Sequence, residues 1–203
     1  MLINCVVYEN GRKLADIEVD EIGAWLQRPG CFVWVALRDA TDDELQRMQQ
    51  QFDLHELAVE DARHGHQRPK VEEYGSMVFV VMHLLENEGT EIHQGEIAIF
   101  VGPNFVLSVR SGSHRHFLGV RERAEREPEL LVHGSGFVFY ALMDAVVDRY
   151  FPFLDDIETE LEDIEGQMFE SGSARANIER LYALKRRGAV LRHAVAPLLE
   201  VAG

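Results

Sequence analysis

Residues Cys31–Leu37 read CFVWVAL, an apolar run with no charged position. A strand with one face in water alternates apolar and polar side chains, whereas a strand covered on both faces is apolar almost throughout. The stretch therefore predicts a covered strand, and the elements around it follow. Upstream, Leu2–Tyr8 is a β-branched run, Asn10-Gly11 is a turn signal and Leu14–Val19 predicts a second strand, which together make a hairpin. Ile22–Leu26 predicts a short helix ended near Pro29-Gly30. Downstream, Thr41 and Glu44 have the spacing of a capping box and open a helix to about Gln51, and Leu54–Ala62 predicts another short helix.

Beyond the polar stretch Arg63–Lys70 the strand signals resume. Met77–Leu85 is one candidate. Glu96–Val101 and Phe105–Arg110 flank Gly102-Pro103-Asn104, the strongest hairpin signal in the chain. Ser113–Arg126 predicts a helix rich in Arg and Glu, stopped before Pro128. From about Ser135 the period changes. Tyr150, Leu154, Ile157, Leu161, Ile164 and Met168 recur every three or four residues, a heptad-like seam, with Pro152 as a kink or junction. After a turn at Ser171-Gly172-Ser173, Ile178, Leu181, Leu184, Leu191, Val195 and Leu198 continue the spacing, so two helices form a long antiparallel hairpin. The division expected is an α/β domain over 1–134 and an acidic helical hairpin over 135–203. An apolar helical stripe running up to Gly203 is expected to belong to a longer protein.

Composition narrows the classes of function. The 203 residues are 46% apolar and 27% charged, ordinary for a globular protein. Two cysteines, Cys5 and Cys31, without CxxC spacing argue against a zinc ribbon, a redox pair or a disulfide scaffold. Thirty-five Asp and Glu against 20 Lys and Arg give a net charge of −15, which repels nucleic acid and anionic lipid. No stretch reaches the about 18 consecutive apolar residues that cross a bilayer, and the N-terminus lacks the features of a signal peptide. The expectation is a soluble chain that is not exported.

The common catalytic templates are absent: no GxSxG, no GxxxxGK[ST], no GxGxxG and no HExxH occurs. Gly134-Ser135-Gly136 reads as a simple turn. His64-x-His66 and His114-x-His116 have a metal-compatible spacing but no third ligand close in sequence, so solvated histidines are expected. The carboxylates carry more. Glu60-Asp61 closes a short apolar helix, and Asp144 and Asp148 lie four apart in the apolar run ALMDAVVDRYF. Acids at that spacing repel unless a cation, an arginine or water separates them. On spacing alone, cation binding and structural pairing remain equally open for these four. Asp155, Asp156, Glu158, Glu160, Glu162, Asp163 and Glu165 read as a solvated face.

The segment Leu57–Tyr74, LAVEDARHGHQRPKVEEY, resembles the cytoplasmic domain of the CorA-type magnesium/cobalt transporter family. The match centres on Val59-Glu60-Asp61 and on His66-Gln67-Arg68-Pro69-Lys70-Val71-Glu72, with Phe79–Met82 similar to the strand that follows. A second block, Leu142–Phe151, is followed by the acidic helix. The resemblance covers nearly the whole chain in order. It departs from the family pattern at Glu56, where a proline usually follows His55.

The resemblance implies an α/β fold, a three-layer α/β/α sandwich with a mixed sheet followed by the long antiparallel helical hairpin. It implies a non-enzymatic domain on the cytoplasmic side of the inner membrane, assembled as a homopentamer and tied to the membrane only through C-terminal helices that this sequence does not contain. Divalent cations, Mg²⁺ first and Co²⁺ among others, would bind between neighbouring copies through acids at the positions of Glu60, Asp61 and Asp144, with Asp148 nearby, and favour the closed pore. One partner acid of the family's site lies beyond Gly203. The zinc-transporting branch is a second reading, although HQRPKVE is closer to the magnesium branch. A metal-dependent hydrolase with His64 or His66 as base, and a purely structural oligomerisation module, are the rivals from other classes.

Overall fold

The computed structural model describes residues 1–88, 91–113, 119–167 and 174–198. Seven strands form one mixed sheet: β1 (Leu2–Glu9), β2 (Arg12–Asp16), β3 (Cys31–Arg38), β4 (Lys70–Tyr74), β5 (Met77–Glu88), β6 (Glu91–Gly102) and β7 (Phe105–Ser111), in the order β2-β1-β3-β7-β6-β5-β4. β3 and β7 pair in parallel at the centre, with Val33 opposite Phe105 and Val35 opposite Leu107; the other pairs are antiparallel. CFVWVAL is thus a central strand. Its odd-numbered residues Val33, Val35 and Leu37 enter one core, and Phe32 and Trp34 enter the other.

The first core lies under α1 (Ile22–Leu26), α2 (Asp42–Phe52) and α3 (Glu56–His64), where Leu45, Met48, Phe52, Ala58, Val59 and Ala62 meet Val7, Phe79, Phe100 and Leu107. The second lies under α4 (Val120–Glu125), α5 (Pro128–Leu131), α6 (Ser135–Val147), α7 (Phe151–Gln167) and α8 (Ala174–Val195). There Leu131, Val138, Leu142 and Val146 meet Tyr8, Trp34, Met82 and Ile99. Two cores on the two faces of one sheet make the three-layer α/β/α sandwich. Burying each large side chain contributes about 1.5–3 kcal/mol, so neither layer is dispensable.

Local chemistry sets the boundaries. Thr41 Oγ1 accepts from the Glu44 N–H at 3.2 Å and Glu44 Oε2 accepts from the Thr41 N–H at 2.9 Å, the capping box expected at the start of α2. Asn10 and Gly11 both have positive φ, as a tight hairpin turn of primed type requires. Gly102 ends β6 where a Cβ would stand 2.1 Å from the Phe105 ring, so no larger residue fits without moving that ring.

Several expectations shift. β2 starts earlier and ends at Asp16, because Ile17 and Glu18 turn into a short 3-10 segment over Val19–Glu21. α3 starts at Glu56, with the His55 ring accepting from the Leu57 N–H at 3.3 Å. β4 is an element the apolar pattern did not reveal. The helix expected over Ser113–Arg126 is described only as α4, with α5 after it; His114 and His116 lie outside the described residues, as do Met168 and the Ser171-Gly172-Ser173 turn.

The seam also differs. Pro152 falls at the second residue of α7, after the break at Asp148–Tyr150, so Tyr150 belongs to the turn and the helical phase restarts there. Phe153, Ile157 and Ile164 face inward, whereas Leu154 and Leu161 are exposed. Glu160 takes the inner position between Ile157 and Ile164, bonded to Arg187 of α8 at 3.0 Å. The antiparallel pairing of α7 and α8 stands: Asn177 reaches the Gln167 carbonyl, while Arg187 reaches Glu160 and Asp156.

Candidate functional site

α3 buries Ala58, Val59 and Ala62 on the first core, and the helical period turns Glu60 outward and leaves Asp61 at the edge. Glu60 is exposed. Asp61 is half-buried and accepts from Lys70 Nζ at 2.7 Å; the same ammonium lies 3.0 Å from Glu72, whose other neighbour is the Tyr74 hydroxyl at 3.0 Å. Burial works against the Lys70 charge, but the bonds to Asp61 and Glu72 outweigh it and hold the pKa above the ordinary lysine value. Lys70 and Glu72, two apart on the edge strand β4, share the face of the first core, opposite Val81 and Phe79, which brings them beside α3.

The loop His66–Pro69 is pinned from below. His66 takes a positive φ, and the Gln67 N–H donates to Glu96 Oε2 at 2.8 Å while the Gln67 carbonyl meets His83 Nε2 at 2.9 Å. Glu96 and His83 are cross-strand neighbours and both are buried. Burial pushes the Glu96 pKa up, against the Gln67 bond. Pro69 is buried, and Arg68 is exposed. The motif residues Gln67, Pro69 and Lys70 thus fix the position of the loop relative to the sheet and to Asp61.

Asp144 and Asp148 lie in the other helical layer. Asp144, within α6, is partly exposed, with the Arg123 guanidinium at 3.8 Å. Asp148 is the C-cap of α6 and exposed, where a carboxylate opposes the negative end of the helix dipole. It borders a cavity of about 410 Å³ with Arg123, Arg126 and Arg149. The arginine that meets Asp144 is therefore Arg123 from α4, a partner the spacing within α6 could not reveal.

The two acid pairs lie on opposite faces of the sheet and do not meet within one chain. Among the described residues no group of three or more His, Cys, Asp or Glu is arranged to hold a metal ion. His64 and His66 are exposed, and His64 Nδ1 is 2.9 Å from the Glu60 carbonyl. Among the described residues these acids and histidines do not converge: His64 and His66 border a cavity of about 180 Å³ with Glu96, and none of Glu60, Asp61, Asp144 and Asp148 lines it. Asp156 and Glu160 of the acidic run pair with Arg187, while Asp155, Glu158, Glu162, Asp163 and Glu165 face solvent. No helix among the described residues is long and apolar enough to cross a membrane.

A family model described as CorA-like Mg2+ transporter protein matches residues 30–202. The chain belongs to this family. It is 36% identical over 132 residues to the putative metal ion transporter YfjQ of Bacillus subtilis, covering 65% of this chain and 41% of that protein. It is 31% identical over 162 residues to the cobalt/magnesium transport protein CorA of Thermotoga maritima, covering 78% of this chain and 46% of that one. The chain thus spans less than half the length of these two relatives. Among solved structures, full-length CmaX superposes with a TM-score of 0.78 at 21% identity, over 98% of this chain and 62% of that one. The soluble domain of CorA from Methanocaldococcus jannaschii gives 0.68 at 17%, over 97% and 77%. The ZntB cytoplasmic domain from Vibrio parahaemolyticus gives 0.66 at 13%, over 99% and 80%. These three solved structures share the fold of this chain.

Proposed function

We propose that this chain is a non-catalytic regulatory domain of a CorA-type divalent-cation channel, lying on the cytoplasmic side of the membrane and sensing Mg²⁺ through carboxylates shared between neighbouring copies. The observation that carries the reading is the separation of the acids. Glu60 and Asp61 stand on one helical layer, Asp144 and Asp148 on the other, so neither pair closes a site alone. A head-to-tail ring sets one layer of each copy against the opposite layer of the next, which is the arrangement that brings such pairs together. The resemblance to CorA supplies five copies for that ring.

The electrostatics favour a cation at the seam. Five copies at −15 each carry −75, and crowding them without counter-ions is repulsive. Mg²⁺ prefers oxygen ligands, keeps several of its waters and needs only one or two carboxylates per contact. Co²⁺ and other divalent ions can occupy the same oxygens. Two sites per copy favouring the closed state by about 1 kcal/mol each sum to about 10 kcal/mol in a ring, above the ~5.5 kcal/mol that takes a two-state equilibrium from 1:99 to 99:1.

The test is Asp61→Asn with Asp144→Asn in the pore-bearing parent, read as Mg²⁺-dependent closure. The reading expects closure to need more Mg²⁺ in the double variant; an unchanged dependence removes these residues from the sensor.

A further inference from the structure

A second cavity, of about 420 Å³, lies between the motif loop and the C-terminal end of α8, and neither acid pair borders it. Its walls include Arg68, His83, Gln94 and His193. His83, on β5, is only 6% exposed. A backbone carbonyl can only accept, so the 2.9 Å contact with the Gln67 carbonyl places the ring proton on His83 Nε2. Burial favours the neutral ring, the Gln67 bond works against this, and His193 adds to it. Nδ1 is then a bare lone pair, buried and without a hydrogen-bond partner among the described residues.

This is the arrangement of a metal-ligating histidine, whose second ring N–H is held by a carbonyl that fixes both tautomer and ring plane. His193, from α8, borders the same cavity and is close enough for its charge to act on His83. We propose that His83 Nδ1 and His193 bind a borderline divalent transition-metal ion of the Zn²⁺, Co²⁺ or Ni²⁺ kind, with water completing its shell, and so clip α8 to the sheet. Imidazole nitrogen suits these ions, whereas Mg²⁺ selects oxygen, so the site is separate in chemistry as well as in place from the carboxylates. Two protein ligands make a weaker site than a closed four-ligand zinc centre. Arg68, the charged residue among those named, is exposed and can keep its guanidinium in water.

The test uses the full chain with His64, His66, His114 and His116 all changed to Ala, which removes both H-x-H pairs. ZnCl₂ alone is titrated by calorimetry, and CoCl₂ alone by visible absorption. One ion per chain is expected, undisturbed by millimolar MgCl₂, with His193→Ala weakening it by about tenfold or more and bleaching the Co²⁺ bands. His83→Gln can still donate to the Gln67 carbonyl but has no imidazole nitrogen to offer the ion, and is expected to weaken binding similarly. Should His83→Gln fail to fold, the exposed His193 decides the matter alone. Binding as tight in His193→Ala as in its parent, or no binding in the four-alanine background, overturns the proposal.

Discussion

Lys70 is the residue at which the acid of α3 and the motif loop meet. Its ammonium bridges Asp61 and Glu72 with the three side chains between 23% and 37% exposed, so Lys70→Ala is expected to cost about 1 kcal/mol in urea unfolding, discounted for solvent screening. The same change leaves Asp61 without its cation and should tighten Mg²⁺ binding several-fold by calorimetry; weaker binding would mean that Lys70 serves the site rather than competes for it. The cysteines give a check on burial. Desolvation first, and then Glu18, Glu21 and Asp16, push the Cys5 thiol up to about 12, and burial with Glu9 raises Cys31. A group whose pKa is raised on folding keeps its proton at mild alkaline pH, so both thiols should resist a disulfide reagent at pH 8 in the native chain and react at once in denaturant.

At the scale of elements, what could be read from sequence was what a single segment's own pattern dictates. CFVWVAL, the Thr41–Glu44 box and the hairpin around Gly102-Pro103-Asn104 each carry their signal locally and appear where expected. β4 did not, because KVEEY is an edge strand with no fully buried residue: Val71 and Tyr74 pack only partly on the two cores, and Lys70 and Glu72 are taken up by the ion pairs beside Asp61. The heptad seam misled because Pro152 restarts the helix, and because an ion pair, Glu160 with Arg187, occupies an inward position that an apolar pattern cannot show. For the same reason Glu60, Asp61, Asp144 and Asp148 could be singled out in sequence, but not Arg123 or Lys70 as their partners, since those contacts are made between elements. Two changes test this packing. Gly102→Ala must displace the Phe105 ring from its 4.5 Å stacking on Phe52, costing about 1–3 kcal/mol of stability. Arg187→Ala should cost about 1 kcal/mol and raise hydrogen exchange along α7 and α8 above that of the sheet.

The whole molecule is a sheet with one acid pair on each side and a large negative charge to neutralise, so its sensing reading is a statement about how copies meet. If the acids of one copy face those of the next across bound Mg²⁺, the ion promotes assembly, and it does so through Asp61 and Asp144 rather than by general screening. The most direct measurement is sedimentation velocity of the chain with and without millimolar MgCl₂, at matched ionic strength in NaCl, for the native sequence and for Asp61→Asn with Asp144→Asn. The account predicts that Mg²⁺ shifts the native chain to faster-sedimenting species and that the double variant loses the shift. A native chain that sediments identically in both salts, or a shift that the double variant keeps in full, would contradict it.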